Sequence, residues 1–154
     1  MKNKLNEKTL VVFILDESGS METFKKDTIE GFNEYIETLQ SDDKPTIMKL
    51  ITFSTSGTKV LVDAKDVMQV RGINRDSYIP SGGTPLLDAV ARGILETDDY
   101  VEWNEENLNI MFTIMTDGME NASRVFSASQ VSDMINEREQ RGWIFTYLGA
   151  NQDA

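Results

Sequence analysis

The sequence predicts an α/β fold: a doubly wound, mainly parallel central sheet with helices on both faces and one antiparallel edge strand. Two mostly apolar segments, residues 10–15 and 109–115, have the composition of strands buried on both faces. Segments with helical periodicity separate the strands, which favours βαβ units. The chain has 154 residues, of which 40% are hydrophobic. We therefore predict a single domain over residues 1–154 with a sizeable core.

In the first half of the chain, the pattern predicts three strands and one helix. Residues 10–15 form the first strand, and residues 21–40 follow as an amphipathic helix with apolar residues at three- and four-residue steps. The second strand covers residues 46–53. A four-residue hairpin loop, 54–57, then leads to an edge strand over residues 58–62.

The middle of the chain is rich in loops. Residues 63–77 predict irregular structure with one short helical turn, and residues 78–85 (YIPSGGTP) predict a loop because glycine and proline are dense there. Residues 85–97 carry apolar side chains at helical spacing. Thr84 and Pro85 suit the cap and the first turn of that helix.

The last third of the chain alternates strand and helix again. After an acidic loop over residues 98–107, residues 109–115 form a strand that ends at Thr116-Asp117-Gly118. The motif Ser127-x-x-Gln130 predicts a capping box that opens another helix. Residues 143–148 form the last strand.

Composition excludes several classes of site. The chain has no cysteine and no histidine, so disulfides, zinc–thiolate sites, a serine–histidine relay and a 2-His-1-carboxylate iron site cannot form. The net charge of −11 disfavours nucleic acid, whose phosphates attract lysine and arginine. No apolar run approaches the roughly 20 residues of a membrane span, and the amino terminus lacks the apolar core of a signal peptide. We therefore expect a cytoplasmic protein with neither a nucleic-acid nor a membrane partner.

Oxygen-bearing side chains follow two of the buried strands and precede one helix. Asp16, Ser18 and Ser20 form a D-x-S-x-S pattern after the first strand, Thr84 lies in the G-G-T-P loop, and Asp117 follows a later strand. Ligands of open α/β sheets bind outside the carboxyl ends of the strands, so these side chains are candidate ligands. Hard oxygens select Mg²⁺, Mn²⁺ or Ca²⁺. Three neutral hydroxyls and only two carboxylates leave such a cation electron-poor, which favours a carboxylate from outside.

Each motif taken alone has a simpler explanation. The serines of D-x-S-x-S are also typical of a turn that caps the next helix, Thr84 of a helix cap, and Asp117-Gly118 of a turn. The three motifs in this order, on this pattern of strands and helices, favour a metal site instead.

The order D-x-S-x-S, G-G-T-P and T-D-G resembles that of von Willebrand factor A domains, in particular bacterial and phage members, over residues 8–149. In that family the pattern forms the metal-ion-dependent adhesion site. The resemblance implies that Ser18, Ser20 and Thr84 contact the ion through hydroxyls, and that Asp16 and Asp117 act directly or through water. It also implies that an Asp or Glu of a protein partner completes the coordination of Mg²⁺, or of Mn²⁺ or Ca²⁺.

Residues around the predicted site are weaker candidates. We expect Glu17, Tyr78, Trp103 and Met119 near the rim, where each either contacts a partner or packs as an ordinary loop residue. Asp88, one turn into the helix that starts at residue 85, is expected to support the site or to act as a helix-terminal charge.

The predicted function is a non-enzymatic, cation-dependent protein-binding module. The alternative from another class is a metal-dependent hydrolase or phosphatase with Asp16 as nucleophile, although Ser18 stands where such an enzyme carries its general acid. A metal-free scaffolding domain is the third hypothesis. The chain also stops soon after the last strand, where the family usually continues with a helix and a strand. Either the segment belongs to a longer protein or the domain is a minimal version; if the closing elements are missing, we expect an exposed sheet edge at residues 143–148 and self-association through it.

Overall fold

A single five-stranded sheet organises the protein. The computed structural model describes residues 8–104, 107–117 and 120–149. The strands, in chain order, are β1 (Thr9–Asp16), β2 (Thr46–Ser54), β3 (Gly57–Asp66), β4 (Asn109–Thr116) and β5 (Ile144–Gly149). Their spatial order is β3-β2-β1-β4-β5. All neighbours are parallel except β2 and β3, which are antiparallel. The predicted fold class is confirmed.

Three helices cover the two faces of the sheet: α1 (Lys25–Gln40), α2 (Leu86–Asn104) and α3 (Ala128–Gln140). Because strand side chains alternate between faces, β1 supplies both layers of the core. Val11, Phe13 and Leu15 pack with α1 on one face, and their alternating neighbours pack with α2 and α3 on the other. Every β1 residue from Leu10 to Asp16 is buried, which places the carboxyl end of this strand between the two layers.

Helix α2 is longer than the sequence predicted, and the acidic loop expected from residue 98 is wrong as far as Asn104. Tyr100 and Val101 continue the apolar stripe of the helix and pack against the core. Asp98 forms an ion pair with the buried Arg138 of α3. The negative charge of Asp98 is therefore neutralised within the helical layer. For this reason the acidic composition was a poor indicator of a loop.

The β2–β3 hairpin also differs from its prediction. The turn has two residues, 55 and 56, instead of four, and β3 extends to Asp66 rather than residue 62. The register between the strands shifts on both sides of Leu50, so the regular side-chain alternation of a hairpin is interrupted there. Gly57 follows the turn with φ of 119°, a conformation that glycine adopts readily.

The remaining elements follow the predicted order closely. The segment expected as one helix from residue 21 is a 3-10 helix (Gly19–Phe24) followed by α1. Helix α3 opens with the predicted capping box, since Ser127 and Gln130 each bond the other's backbone amide. No helix in the described ranges is both long and apolar enough to cross a bilayer.

Candidate functional site

The carboxylate of Asp16 is fixed in orientation at the end of β1. Its Oδ1 atom accepts a hydrogen bond from the Ser18 amide at 2.8 Å, and its Oδ2 atom accepts one from the Thr116 hydroxyl at 2.7 Å. The side chain is fully buried. Because Thr116 ends β4, the two central parallel strands are joined at their carboxyl edge through this carboxylate. Nothing in the T-D-G motif indicated this role of Thr116.

Two further carboxyl-edge groups lie together in the structure. The Ser20 hydroxyl donates a hydrogen bond to the Asp117 carboxylate, although 97 residues separate them in sequence. The Ser18 and Ser20 hydroxyl oxygens lie 3.3 Å apart. Four of the five predicted ligands, from the ends of β1 and β4, are therefore brought into one cluster.

Thr84, the fifth predicted ligand, lies on a loop that contacts the loop after β1. The Gly19 amide donates to the Gly82 carbonyl at 2.8 Å, and the Ser81 amide donates to the Glu17 carbonyl at 2.9 Å. Thr84 is buried. Its amide donates to the Asn121 side chain at 2.7 Å, and its carbonyl accepts from the Asn121 amide. The backbone of Thr84 is thus held between two loops.

The first amides of α2 have partners other than the expected Thr84 cap. The Leu87 amide donates to the Glu120 carboxylate at 2.9 Å, and the Asp88 amide donates to the Ser123 hydroxyl at 3.0 Å. Glu120 also accepts from the Ser123 hydroxyl. Desolvation raises the pKa of Glu120, but its hydrogen bonds outweigh that effect and lower the pKa overall. These contacts remove the capping explanation for Thr84.

Asp88 holds the loop between β4 and α3. Its carboxylate accepts hydrogen bonds from the amides of Arg124, Val125 and Phe126 at 2.8, 3.1 and 2.9 Å. Desolvation raises the pKa of this carboxyl group, but the three amides and the nearby Arg92 lower the pKa by a larger amount, so the net shift is downward. Asp88 therefore supports the loop that carries Asn121.

The structure places the expected rim residues differently. Glu17 is buried, where its carboxylate bonds the Lys59 ammonium at 3.1 Å and the Ile79 amide at 2.8 Å. Tyr78 is fully buried, and its hydroxyl donates to the Asp16 carbonyl at 2.5 Å. Burial, then the charges of Asp16 and Glu17, raise the pKa of this phenol. Both side chains therefore lie beneath the rim.

Trp103, another expected rim residue, lies away from the described site. Trp103 is 87% exposed, but it sits near the carboxyl end of α2. A helix of 19 residues is about 28 Å long, which separates it from the Thr84 end. Met119 lies outside the described residues.

The donor set fits a hard divalent cation. Adjacent ligands in an octahedral shell with bonds of 2.1 Å are about 3.0 Å apart, close to the 3.3 Å between the Ser18 and Ser20 oxygens. Asp16 keeps a second lone pair on each oxygen beyond its two hydrogen bonds. Within the described ranges, no cluster of three or more acidic side chains offers a purely carboxylate site. A cation here relies on hydroxyls as well as carboxylates.

Comparison with solved structures identifies the fold. No family profile matches the chain, and no curated protein sequence matches it. The manganese-loaded TRAP protein of Plasmodium vivax matches with a TM-score of 0.65 and 22% identity, over 94% of this chain and 57% of that one. A von Willebrand factor type A protein from Catenulispora acidiphila matches with a TM-score of 0.57 and 14% identity, over 92% of this chain and 32% of its own.

A third match is the pilus adhesin SpaC of Lactobacillus rhamnosus GG in its open conformation, with a TM-score of 0.55 and 19% identity over 77% of this chain and 16% of that one. The chain thus spans little more than half of the first solved protein and less of the other two. These likenesses establish a von Willebrand factor A fold for the described domain.

Proposed function

We propose that this domain is a divalent-cation-dependent protein-binding module that grips an Asp or Glu of a partner protein. Its cation ligands are Asp16, Ser18, Ser20, Thr84 and Asp117, and the cation is Mg²⁺, with Mn²⁺ or Ca²⁺ as substitutes. The observation that carries the proposal is the contact of Ser20 with Asp117 beside the Ser18 hydroxyl, at the carboxyl edge of β1 and β4.

The chemistry of the donor set accounts for the choice of partner. Two carboxylates neutralise a divalent cation, and the three hydroxyls add no charge. A bound cation supplies a Lewis-acidic position that attracts a further carboxylate. Thr116 and the Ser18 amide hold Asp16 in one orientation, so the site is organised before a partner arrives. Two solved neighbours are consistent with this proposal, since one is a manganese-loaded protein and another is a pilus adhesin.

A metal-dependent phosphatase that uses Asp16 as nucleophile is less well supported. Asp16 is fully buried, and each of its carboxylate oxygens already accepts a hydrogen bond. A nucleophile must instead approach phosphorus along an open path. We extend the proposal to a non-enzymatic role in the cytoplasm, without nucleic-acid or membrane partners. Hydrolysis of p-nitrophenyl phosphate in Mg²⁺ that is lost in Asp16→Ala would contradict it.

Calorimetric titration of Mn²⁺ and Mg²⁺ tests the cation site directly. We expect binding to the native protein, none to Asp16→Ala, and at least about tenfold weaker binding to Asp117→Asn, because it loses a charged ligand. Asp43→Asn is the matched control, since it removes the same charge from an exposed position before β2. Equal Mn²⁺ affinity in Asp117→Asn and Asp43→Asn would contradict the ligand assignment.

The open coordination position needs its own test. Bound Mn²⁺ accelerates the relaxation of water protons through the waters that it holds. We expect acetate to reduce this enhancement in the native protein, because its carboxylate replaces a bound water. Mn²⁺ binding with no response to acetate would argue against recognition of an acidic side chain. Absence of any Mn²⁺ binding would favour the metal-free scaffolding hypothesis.

A further inference from the structure

A cleft of about 300 Å³ lies beside the candidate cation site, between the β2–β3 turn, the start of α2 and the loop that precedes α3. Pro85, Ala122 and Val125 contribute accessible apolar surface to it, whereas Phe53 and Ala89, which also line it, are buried. Arg92 and Arg124 also line it, and both arginines are exposed. We call it the arginine cleft.

The arginine cleft directly adjoins Thr84. Pro85 follows Thr84 in the chain, and Ala122 follows Asn121, which holds the Thr84 backbone. Both Pro85 and Ala122 line the cleft. Thr55 lines the cleft as well, and its hydroxyl accepts a hydrogen bond from the Gly83 amide at 2.9 Å. A ligand in the cleft therefore sits next to the loop that carries the predicted hydroxyl ligand.

The charge of the cleft contrasts with that of the whole chain. The chain has 26 acidic and 15 basic residues. Among the described residues that line the cleft, the charged ones are Asp88, Arg92 and Arg124. The Asp88 carboxylate is already occupied by the amides of residues 124–126. The cleft thus offers positive charge on a protein whose net charge is −11.

We propose that the arginine cleft binds a second part of the same acidic partner: an apolar side chain on Pro85, Ala122 and Val125, followed by a carboxylate at Arg92 and Arg124. The occupant is an extended acidic peptide segment whose other carboxylate reaches the cation site. This inference rests on the proposed function for that first carboxylate. Charge complementarity selects the peptide, because it combines an apolar group with an anion.

Labelled peptides of the form Asp-Gly(n)-Phe-Glu, with one, two or three glycines, test the proposal by fluorescence anisotropy in Mn²⁺. For the peptide that binds most tightly, we expect the double variant Arg92→Gln/Arg124→Gln to bind about fivefold more weakly. This is the effect of losing two exposed ion pairs with the peptide carboxylate. Lys44→Gln/Lys65→Gln is the matched control, since it removes the same charge near the amino end of β2, whereas the cleft lies at the carboxyl end of that strand. Replacing the terminal Glu of the peptide by Gln is expected to abolish the difference between the two variants.

A second probe separates the cleft from the cation site. Anilinonaphthalene sulfonate combines an aromatic group with an anion, and we measure its fluorescence in EDTA, where no cation is bound. We expect the dye to bind less well to Thr58→Trp, which fills the cleft from β3, and to the double arginine variant. We expect Asp117→Asn to bind the dye as the native protein does. Loss of peptide binding in Asp117→Asn then reports on the proposed function alone. If neither probe distinguishes the double arginine variant from the lysine control, the arginine cleft is not a binding site.

Discussion

Replacing Asp88 by alanine tests how the candidate site is supported. The substitution leaves the amides of Arg124, Val125 and Phe126 without their shared acceptor. A hydrogen bond to a charged group contributes about 1.5–3 kcal/mol, and water replaces part of that at exposed amides such as those of Arg124 and Val125. We therefore expect the free energy of unfolding to fall by about 2–3 kcal/mol. For a domain of this size, that lowers the melting temperature by about 4–12 °C.

The effect is expected to reach the cation site as well. The loop released by Asp88→Ala carries Asn121, which holds the backbone of Thr84. Looser positioning of Thr84 should weaken Mn²⁺ binding about three- to tenfold, the lower range for supporting residues of metal sites. Urea unfolding measures the first effect and calorimetric titration measures the second.

Glu96→Ala is the matched control for this prediction. It removes an acidic residue from the same helix, where the half-exposed Glu96 forms an ion pair at 3.3 Å with Lys49, which also pairs with Asp63. Such pairs contribute at most about 1 kcal/mol. If Asp88→Ala and Glu96→Ala have equal effects on stability, the loop is not held by the Asp88 carboxylate and the reasoning fails.

The same comparison has a defined pH dependence. The pKa of Asp88 lies below its ordinary value of 3.8 in the folded protein, because its hydrogen bonds outweigh desolvation. A lowered folded pKa means that this stabilisation is complete above the unfolded pKa and is lost as the pH falls through the folded one. The stability difference between the native protein and Asp88→Ala should therefore shrink at a pH below about 4.

Three other predictions concern the cation, a buried phenol and a helix contact. Each tenfold rise in Mn²⁺ above its dissociation constant should raise the melting temperature by about 3–6 °C, and in Asp117→Asn this rise should begin only at Mn²⁺ concentrations about tenfold or more higher. The pKa of Tyr78 is raised above 10.0 in the folded protein, so unfolding above pH 10 releases its proton. The free energy of unfolding therefore falls by about 1.4 kcal/mol for each pH unit above that value. Urea unfolding should show a smaller fall in stability between pH 9 and pH 11 for Tyr78→Phe than for the native protein. Gly93→Ala should lower the free energy of unfolding by about 1–3 kcal/mol in the same assay. The reason is that a Cβ atom at this position comes within 2.8 Å of Ile14 and 3.0 Å of Phe112. Equal stability of the variant and the native protein would show that the helix moves aside.

The sequence predicted best where one local pattern decides the structure. The apolar run of β1 and the capping box of α3 specify their elements without help from the rest of the chain. The parallel topology then explains why Ser20 and Asp117 meet, since the carboxyl ends of adjacent parallel strands share one edge. The cluster of oxygens was therefore predictable from strand order and motif position.

Contacts between distant loops could not be predicted in this way. Asp88 bonds amides that lie 36–38 residues later in the chain, and Glu17 bonds Ile79 and Lys59 from two other elements. A charged side chain in a loop motif is usually exposed, so nothing in the local pattern indicated that Glu17 is buried. The three-residue spacing of Glu120 and Ser123 weakly indicates a contact between these two residues. It does not indicate that both accept hydrogen bonds from amides at the start of α2.

The two tryptophans give the protein an optical asymmetry. Trp103 is 87% exposed, so its emission resembles that of tryptophan in water whether or not the chain is folded. Trp143 is half-buried, stacks on Phe145 at 6.0 Å and lies beneath Arg141. A change in emission wavelength on unfolding therefore reports chiefly on the start of β5. A fluorescence transition that precedes the circular dichroism transition would show that this edge of the sheet opens before the rest.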